Sequence, residues 1–346
     1  MRNLTVGSCL NKKLSVVLCA DRFYMSEKAL EMLKKEGKVV WADCKSENDL
    51  VQKVHGTKPK VIISEYFKIT SQVMDASPNL KGIVVWGVGY DHIDLEAASE
   101  RGIYVANTRG SNAESVAEHV FGLILCLSRK IHRLDDFVRA GKWTTREESG
   151  IPPELVAQDL YGKTIGIIGL GAIGSRVARI AQGFNMRVLA YDPYISPETA
   201  KERGAELVSL EKLLKESDFV TLHVTLTKET RGMISTKELN LMKPTAYLIN
   251  ASRGPVVDED ALIKALEEKK IAGAGLDVFT EEPISLDNPL LKFDNVMVTP
   301  HCAGNSKEAL EATALMVSEE VIRILNDQVP ENLVNRSQLM KKGYLG

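Results

Sequence analysis

Short apolar runs alternate with amphipathic stretches from one end of the chain to the other. The apolar runs have the length of buried strands, and the stretches between them carry apolar residues at the three- and four-residue spacing of helices. Strands that alternate with helices in this way form parallel sheets whose faces the helices cover. The pattern therefore predicts an α/β protein built on parallel strands.

The apolar runs fall into two groups that are separated by a polar break after Val105. The first group predicts strands at Leu14–Cys19, Val39–Trp41, Val61–Ser64, Ile83–Trp86 and Ile103–Val105. The second group predicts strands at Thr164–Ile168, Arg187–Tyr191, Phe219–His223, Ala246–Asn250, Ala274–Asp277 and Val296–Thr299. The length of 346 residues also favours two domains, because single cores usually stop growing at about 250–300 residues.

A long amphipathic helix is predicted directly after the break. Apolar residues recur at helical spacing from Val116 to Val138, behind the N-cap candidate Asn112, and so predict one continuous helix. Its apolar face is larger than one domain should need. That face either packs between the domains or forms a homodimer interface around the second domain. Near the end of the chain, Lys307–Leu325 is predicted as an amphipathic helix and 338–346 as a polar tail.

Composition argues against several classes of function. The 44 basic and 46 acidic residues give a net charge of −2, which leaves no broad basic field for nucleic acid or an anionic membrane. Apolar runs such as Val120–Leu127 are much shorter than the ~18 residues of a membrane-spanning helix, and residues 1–13 do not resemble a signal peptide. The five scattered cysteines suit a reducing cytosol and predict neither disulfides nor a metal site. We therefore expect a cytoplasmic protein that acts on a small molecule.

A glycine-rich turn is the first candidate site. The segment TIGIIGLGAIG places Gly169, Gly171 and Gly174 in a GxGxxG pattern between a predicted strand and a predicted helix. The first glycine permits the turn, the second lets the backbone approach a pyrophosphate, and the third lets the helix pack on the strand. Free N–H groups at the start of the helix then face the anion. This context favours a dinucleotide site over a simple tight turn.

Asp192, at the end of the next predicted strand, bears on which dinucleotide binds. It lies 18 residues after Gly174, close to the ~20 expected for an acid that hydrogen-bonds the ribose 2′-hydroxyl. A carboxylate there repels the 2′-phosphate of NADP, and no arginine follows within the next few residues. The sequence favours NAD over NADP, and the alternative for Asp192 is a turn residue at the end of a strand.

Three charged or titratable residues follow predicted strands of the second group. Arg253 lies in NASRGPVVDE, Glu282 in LDVFTEEP and His301 in VTPHCAGNS. Ligands of doubly wound sheets bind at the carboxyl ends of the strands, so these side chains are expected beside the nicotinamide. Arginine presents a planar fork to a carboxylate, and histidine exchanges protons near neutrality. A carboxylate beside the histidine fixes its orientation and stabilises its charged form. Together they suit the reduction of a 2-oxo acid.

Several further segments accompany these residues in a fixed order. They are GVGYDHIDLEAASERGIYVANT (Gly87–Thr108), SVAEH (Ser115–His119), GLGAIG, NASRGPVVDE, GLDVFTEEP and TPHCAG. The chain thereby resembles the D-isomer-specific 2-hydroxyacid dehydrogenase family from about Val61 to Leu325. The resemblance implies two doubly wound, Rossmann-like domains with an active-site cleft between them. The implied substrate-binding domain is 1–111 plus 306–346, and the implied NAD-binding domain is 112–305. The implied activity is the NAD-dependent interconversion of a small 2-oxo acid and its D-2-hydroxy acid.

The resemblance also implies a role for individual residues. His301 would be the acid/base, Glu282 its partner, and Arg253 the residue that holds the substrate carboxylate and carbonyl. Glu282 is preferred to Glu281 because it directly precedes Pro283, as the family motif requires. The other implied contacts are the backbone amides of Val88 and Gly89 to the substrate carboxylate, Ala172 and Ile173 to the pyrophosphate, Val224, Thr230, Ala251 and Ser252 to the rest of the dinucleotide, and Asp277 to the nicotinamide carboxamide.

Two departures from the family pattern bear on the substrate. Relatives that oxidise 3-phosphoglycerate often have an arginine near the position of Ser64, which this chain lacks. Trp86 stands where smaller residues are common, either as a wall of the substrate pocket or as a core indole. A neutral or aromatic-tolerant 2-oxo acid is therefore expected, and a D-3-phosphoglycerate dehydrogenase is the runner-up. An NAD(H)-sensing protein, like the corepressors related to this family, is the alternative from another class.

Overall fold

The computed structural model describes residues 15–345, which form two compact units. One unit contains the described residues up to Ser111 together with those from Leu310 onward, and the other is Asn112–Ala309. The first predicted strand begins at Leu14, which lies outside the described residues. The chain thus leaves the first unit once and returns to it near its end.

The first unit is built on a five-stranded parallel sheet in the order β2-β1-β3-β4-β5. Its strands are β1 (Ser15–Cys19), β2 (Gly37–Trp41), β3 (Val61–Ser64), β4 (Gly82–Val85) and β5 (Tyr104–Ala106). Its helices are α1 (Glu27–Glu36), α2 (Glu47–Thr57), α3 (Ser71–Asp75), α4 (Leu95–Glu100), most of α12 (Lys307–Leu325), and α13 (Arg336–Lys341). Helix α12 packs Val317, Val321 and Ile324 against the face of the sheet that carries Val17 and Val84.

The end of the chain differs from its prediction. A polar tail was expected over 338–346, but α13 forms there and buries Leu339. Asn335 precedes this helix and is itself buried. Its amide oxygen accepts from the N–H of Val105 at 3.0 Å, and its amide nitrogen donates to the carbonyl of Ile103 at 2.9 Å. These bonds to β5 and the residue before it anchor the segment, and they join residues too distant in sequence for periodicity to detect.

The second unit is built on a seven-stranded parallel sheet in the order β12-β11-β10-β9-β6-β7-β8. Its strands are β6 (Thr164–Ile168), β7 (Arg187–Tyr191), β8 (Glu206–Leu207), β9 (Phe219–Leu222), β10 (Tyr247–Asn250), β11 (Gly273–Leu276) and β12 (Val296–Val298). Its helices are α5 (Ala113–Arg129), α6 (Ile131–Arg139), α7 (Ala172–Gly183), α8 (Pro197–Glu202), α9 (Leu210–Glu216), α10 (Thr236–Leu239) and α11 (Glu259–Glu267). The strand order reverses between β6 and β9, as in a Rossmann fold. The predicted class, α/β with two doubly wound sheets, is confirmed.

The prediction of a single helix after Asn112 is wrong, because the chain forms two helices, α5 and α6, that are separated at Lys130. Lys130 has a left-handed φ of 56°, and its Nζ donates to the hydroxyl of Tyr247 at 3.3 Å. The apolar face of α5, including Val120 and Ile124, is buried in the core of the second unit itself. That face is therefore not available to a partner. In the described part of the chain, no helix combines the length and apolarity that crossing a membrane requires.

Candidate active site

The GxGxxG turn joins β6 to α7 in the second unit. Gly169 has a φ of +89°, and a Cβ on Gly174 would lie 2.1 Å from the carbonyl oxygen of Gly169, so neither position accepts a side chain. Around Gly171, by contrast, no atom of a described residue lies within 4 Å of an added Cβ. Within residues 15–345 no side chain caps the start of α7, which leaves the first N–H groups of the helix, including those of Ala172 and Ile173, for an anion. The turn thus fits the pyrophosphate of a dinucleotide.

Two oppositely charged side chains contact the peptide groups of Leu170 within this turn. Asp192, which follows β7, accepts from the N–H of Leu170 at 3.0 Å through Oδ2 and from that of Tyr194 at 3.0 Å through Oδ1. Arg203, which follows α8, donates through Nη1 to the carbonyl oxygen of Leu170. Asp192 therefore shapes the turn and lies where an acid can meet the adenosine ribose. Sequence reasoning missed Arg203 because it lies beyond the next helix.

The loop after β9 carries Val224 and Thr230. Val224 is half-buried. The hydroxyl of Thr230 donates to the carbonyl of Thr225 at 2.6 Å and accepts from the N–H of Thr227 at 2.8 Å. Thr230 therefore braces its own loop, and its contact with the dinucleotide stays a prediction.

A buried amide shapes the turn that carries Arg253. Asn250 ends β10 and is 1% exposed. Its Oδ1 accepts from the N–H of Ser252 at 3.0 Å and from the Ser252 hydroxyl at 2.8 Å, while its Nδ2 donates to the carbonyl of Arg253 at 2.9 Å. Nη1 of Arg253 donates to the carbonyl of Ser252 at 2.8 Å. Asn250 thus fixes the backbone from Ala251 to Arg253. Its polarity at the end of an apolar strand was the available sequence signal.

His301 and Glu282 form a hydrogen-bonded pair. Nδ1 of His301 lies 2.7 Å from Oε2 of Glu282, and the two side chains are 29% and 33% exposed. The other carboxylate oxygen accepts from the N–H of Phe279 at 2.9 Å. Burial acts to raise the pKa of Glu282, but the hydrogen bonds from His301 and Phe279 outweigh it, so the pKa lies below its usual range. An ionised carboxylate only accepts, so Nδ1 carries a proton and Nε2 is the ring nitrogen that can exchange one with a substrate. Glu281 is exposed, and it is Glu282 that meets the histidine.

Asp277 organises the loop in which His301 lies. Asp277 is 1% exposed, and its carboxylate accepts from the hydroxyl of Thr299 at 2.6 Å and from the N–H groups of Cys302 and Ala303, each at 2.9 Å. Its carbonyl accepts from the N–H of His301 at 2.8 Å. His301 has a left-handed φ of 49°, a conformation that non-glycine residues adopt only when their surroundings hold it. A role for Asp277 toward the nicotinamide stays a prediction.

His119 reaches the same network from α5. Its Nε2 lies 3.0 Å from the hydroxyl of Thr299 and 3.6 Å from the carboxylate of Asp277. His119, Asp277 and Cys302 each offer one possible metal-ligand atom. These three atoms lie within 4.8 Å of one another, the one such group in residues 15–345. Burial and the neighbouring Asp277 raise the pKa of the Cys302 thiol, and Asp277 already accepts several hydrogen bonds. The absence of a metal site stays a prediction. Sequence reasoning used His119 only as a family marker.

The expected carboxylate-binding loop follows β4 in the first unit. Gly87 has a φ of +134°, and its N–H donates to the hydroxyl of Thr108 at 3.1 Å. Asn107 donates to the carbonyl of Val88 at 2.7 Å. The N–H groups of Val88 and Gly89 donate no hydrogen bond within the described residues. Two half-exposed amides on a braced loop suit an anion.

Trp86 and Ser64, which the sequence singled out for the substrate, both lie in the interior of the first unit. Trp86 is 8% exposed and stacks on Phe23 with ring centroids 5.8 Å apart, so it packs in the core, and a substrate contact stays a prediction. Ser64 is fully buried, and its hydroxyl donates to Asp21 at 3.0 Å. The carboxylate of Asp21 also accepts from the N–H of Phe67 at 2.9 Å. An acid, not a cation, therefore lies beside Ser64.

The chain is similar to several known proteins. The sequence profile of the D-isomer specific 2-hydroxyacid dehydrogenase, NAD binding domain, matches residues 121–303. A glyoxylate reductase of Thermococcus litoralis is 44% identical over 90% of this chain and 95% of its own. A D-3-phosphoglycerate dehydrogenase of Methanocaldococcus jannaschii is 41% identical over 90% of this chain but 58% of its own.

A solved structure extends the comparison to a cofactor. An NADPH-dependent glyoxylate/hydroxypyruvate reductase of Sinorhizobium meliloti, determined with NADP and malonate, is 28% identical and superposes with a TM-score of 0.80 over 94% of this chain and 98% of its own. The fold, the glycine turn and these relatives together define an oxidoreductase with a nicotinamide dinucleotide-binding domain. The chain belongs to the D-isomer specific 2-hydroxyacid dehydrogenase family.

Proposed function

We propose that this protein is an NAD-dependent dehydrogenase that reduces a small 2-oxo acid and oxidises the corresponding D-2-hydroxy acid. The observation that carries the proposal is the His301–Glu282 pair, with 2.7 Å between Nδ1 and Oε2. It follows β11 and β12, while Arg253 follows the neighbouring β10 at the carboxyl ends of the same sheet. That edge also carries the glycine turn, so a proton donor, an anion-binding group and a dinucleotide share one end of the sheet.

Each of these residues has a distinct task in the reaction. The guanidinium of Arg253 binds the substrate carboxylate and polarises the carbonyl. The amides of Val88 and Gly89, in the first unit, suit a carboxylate as well. The nicotinamide, when bound, supplies the hydride that the substrate carbon receives. His301 donates its Nε2 proton to the carbonyl oxygen, and Glu282 holds Nδ1–H and balances the charge of the imidazolium. In the reverse direction the neutral imidazole takes the proton back.

NAD is the proposed cofactor, with NADP as the alternative. Asp192 supports this choice because its carboxylate follows β7, where the adenosine ribose lies in doubly wound folds, and it would repel a 2′-phosphate. The NADPH-dependent Sinorhizobium relative keeps the alternative open. Titration of the protein with NADH and NADPH tests the preference directly, and tighter binding of NADPH would reverse it.

A neutral 2-oxo acid is the proposed substrate class. Asp21 and Ser64 support it, because a carboxylate and a hydroxyl engaged with that carboxylate offer no cation to a phosphate group. The Methanocaldococcus relative keeps D-3-phosphoglycerate as the second candidate. Higher turnover with 3-phosphohydroxypyruvate than with glyoxylate would favour that candidate.

NADH oxidation against a panel of 2-oxo acids tests the proposed reaction. The panel contains glyoxylate, hydroxypyruvate, pyruvate, a branched oxo acid, phenylpyruvate and 3-phosphohydroxypyruvate. His301→Asn is the control, because asparagine tolerates the left-handed backbone at this position. Turnover that is lost in the variant supports the dehydrogenase. Tight NADH binding without turnover on any acid would instead indicate an NAD(H)-sensing protein.

A homodimer is proposed on the basis of α6. This helix buries none of its residues, and Ile131, Val138 and Trp143 on and after it are 51%, 53% and 52% exposed. Exposed apolar side chains in one segment favour a second copy as the occupant. Light scattering should give about twice the chain mass of 38.1 kDa, and Val138→Lys should lower it. Leu286→Lys, at a 90% exposed position elsewhere, serves as the control. A wild-type mass of one chain would refute the dimer.

A further inference from the structure

Arg203 and Asp192 contact opposite ends of one residue in the phosphate-binding turn. The N–H of Leu170 donates to Asp192, and the carbonyl of Leu170 accepts from Arg203. The side chain of Leu170 is fully buried, so only its peptide groups meet the two charges. Within residues 15–345, Asp192 and Arg203 form no ion pair with each other. The carboxylate of Asp192 and the guanidinium of Arg203 therefore do not neutralise each other.

The guanidinium of Arg203 has bonding capacity beyond this contact. A guanidinium carries five N–H donors in a planar fork, and Arg203 uses Nη1 on the Leu170 carbonyl. Its other nitrogens donate no hydrogen bond to a described residue, and the side chain belongs to an exposed residue. Forks of this kind bind phosphate oxygens in two-pronged fashion. A cation suited to a phosphate group therefore contacts the same residue, Leu170, as the acid proposed to face the ribose.

We propose that Arg203 is a determinant of cofactor choice. Its guanidinium can bind the 2′-phosphate of NADP, but in the wild-type protein the negative charge of Asp192 outweighs that attraction. The proposal rests on the proposed function, since it requires that the glycine turn binds a nicotinamide dinucleotide. Asp192 repels the 2′-phosphate in the wild-type protein. Removal of that one negative charge leaves Arg203 as the charged side chain in contact with Leu170, and the site then accepts NADP.

Binding of NADH and NADPH to five proteins tests this inference without reference to turnover. The proteins are the wild type, Asp192→Asn, Arg203→Gln, the double variant of these two, and Asp192→Asn combined with Lys201→Gln. Asparagine keeps an acceptor for the Leu170 amide while it removes the charge. Lys201 lies on α8 near Arg203 and carries the same charge, so its loss controls for a general field effect. The readout is the ratio of the two dissociation constants, followed through nicotinamide fluorescence.

The expected results separate cofactor choice from simple bracing of the turn. Asp192→Asn should tighten NADPH relative to NADH by about tenfold, and the added Arg203→Gln should remove that gain, because one charge-assisted hydrogen bond corresponds to roughly a factor of ten. The Lys201 control should keep the gain. Equal weakening of both cofactors by Arg203→Gln, or an NADPH gain that survives it, overturns the inference while the proposed function stands. A wild-type protein that binds neither cofactor refutes both.

Discussion

Replacement of Glu282 by glutamine removes one charge from the candidate acid/base pair and leaves its size unchanged. In the wild-type protein, Oε2 accepts from His301 at 2.7 Å and Oε1 accepts from the N–H of Phe279 at 2.9 Å. The glutamine oxygen can keep the bond to Phe279. Its NH₂ group then faces Nδ1 of His301, which must carry a proton whenever the imidazole is charged. The charged state that donates a proton to the substrate therefore loses its acceptor and meets a second donor.

The size of the effect follows from this exchange. A hydrogen bond to a charged group contributes about 1.5–3 kcal/mol and a neutral one about 0.5–1.5 kcal/mol, so the loss is about 1–2 kcal/mol before the donor–donor conflict is added. The pair is about one-third exposed, and solvent screening keeps the value near the lower end. We expect kcat/KM to fall by about 5- to 30-fold, given that each 1.4 kcal/mol is worth about tenfold.

Steady-state reduction of the best 2-oxo acid measures this loss, and NADH titration provides a second readout. The fall should be in kcat as well as kcat/KM, with NADH binding unchanged, because Glu282 supports proton transfer and not the dinucleotide. Glu281→Gln is the matched control, since it removes the same charge from the adjacent exposed position. Retention of more than half the activity by Glu282→Gln, or an equal fall in both variants, would refute the reasoning.

Three further predictions concern the turn, His223 and the His301 loop. Gly174→Ala should weaken NADH binding and lower the melting temperature because its Cβ would lie 2.1 Å from a carbonyl oxygen, whereas Gly183→Ala, with open space around it, should do neither. Burial lowers the pKa of His223 to about 3. As the pH drops, the unfolded chain therefore binds a proton at His223 before the folded protein does. The free energy of unfolding should fall between pH values of about 6.5 and 3, by up to about 1.4 kcal/mol per pH unit. Urea unfolding of His223→Gln should show a shallower dependence over this range, and an unchanged slope contradicts it. Thr299→Val removes the hydroxyl bonded to Asp277 and should lower the free energy of unfolding by about 1–3 kcal/mol, while Thr299→Ser should restore it.

The fold was predictable wherever burial alone decides the structure. Strands covered on both faces read as continuous apolar runs, and Val61–Ser64 and Thr164–Ile168 form strands with the predicted bounds. Edge strand β8 was not predicted because its two residues are too short to show a pattern. The break at Lys130 was missed because neither glycine nor proline marks it, and the apolar spacing continues across it.

The candidate site was predictable only in part. Arg253, Glu282 and His301 follow strands, and parallel topology brings strand ends to one edge whatever the intervening sequence contains. The residues that hold them in place were not found, because Asn250 and Thr299 act through part-buried hydrogen bonds whose partners depend on the folded backbone. Such bonds carry no periodicity along the chain. The charge of a site residue and its position after a strand can thus be predicted from a sequence, whereas the hydrogen bonds that hold it in place cannot.

The return of the chain to its first unit has a consequence for its synthesis on the ribosome. The first unit's sheet is complete in sequence by Ala106, yet α12, which covers one of its faces, is encoded about two hundred residues later. Synthesis proceeds at about 5–20 residues per second, so that apolar face stays uncovered for on the order of ten to forty seconds before α12 is made. The uninterrupted second unit can fold in the meantime. A nascent chain that stalls before α12 would therefore expose Val17 and Val84 to chaperones beside an already folded neighbour.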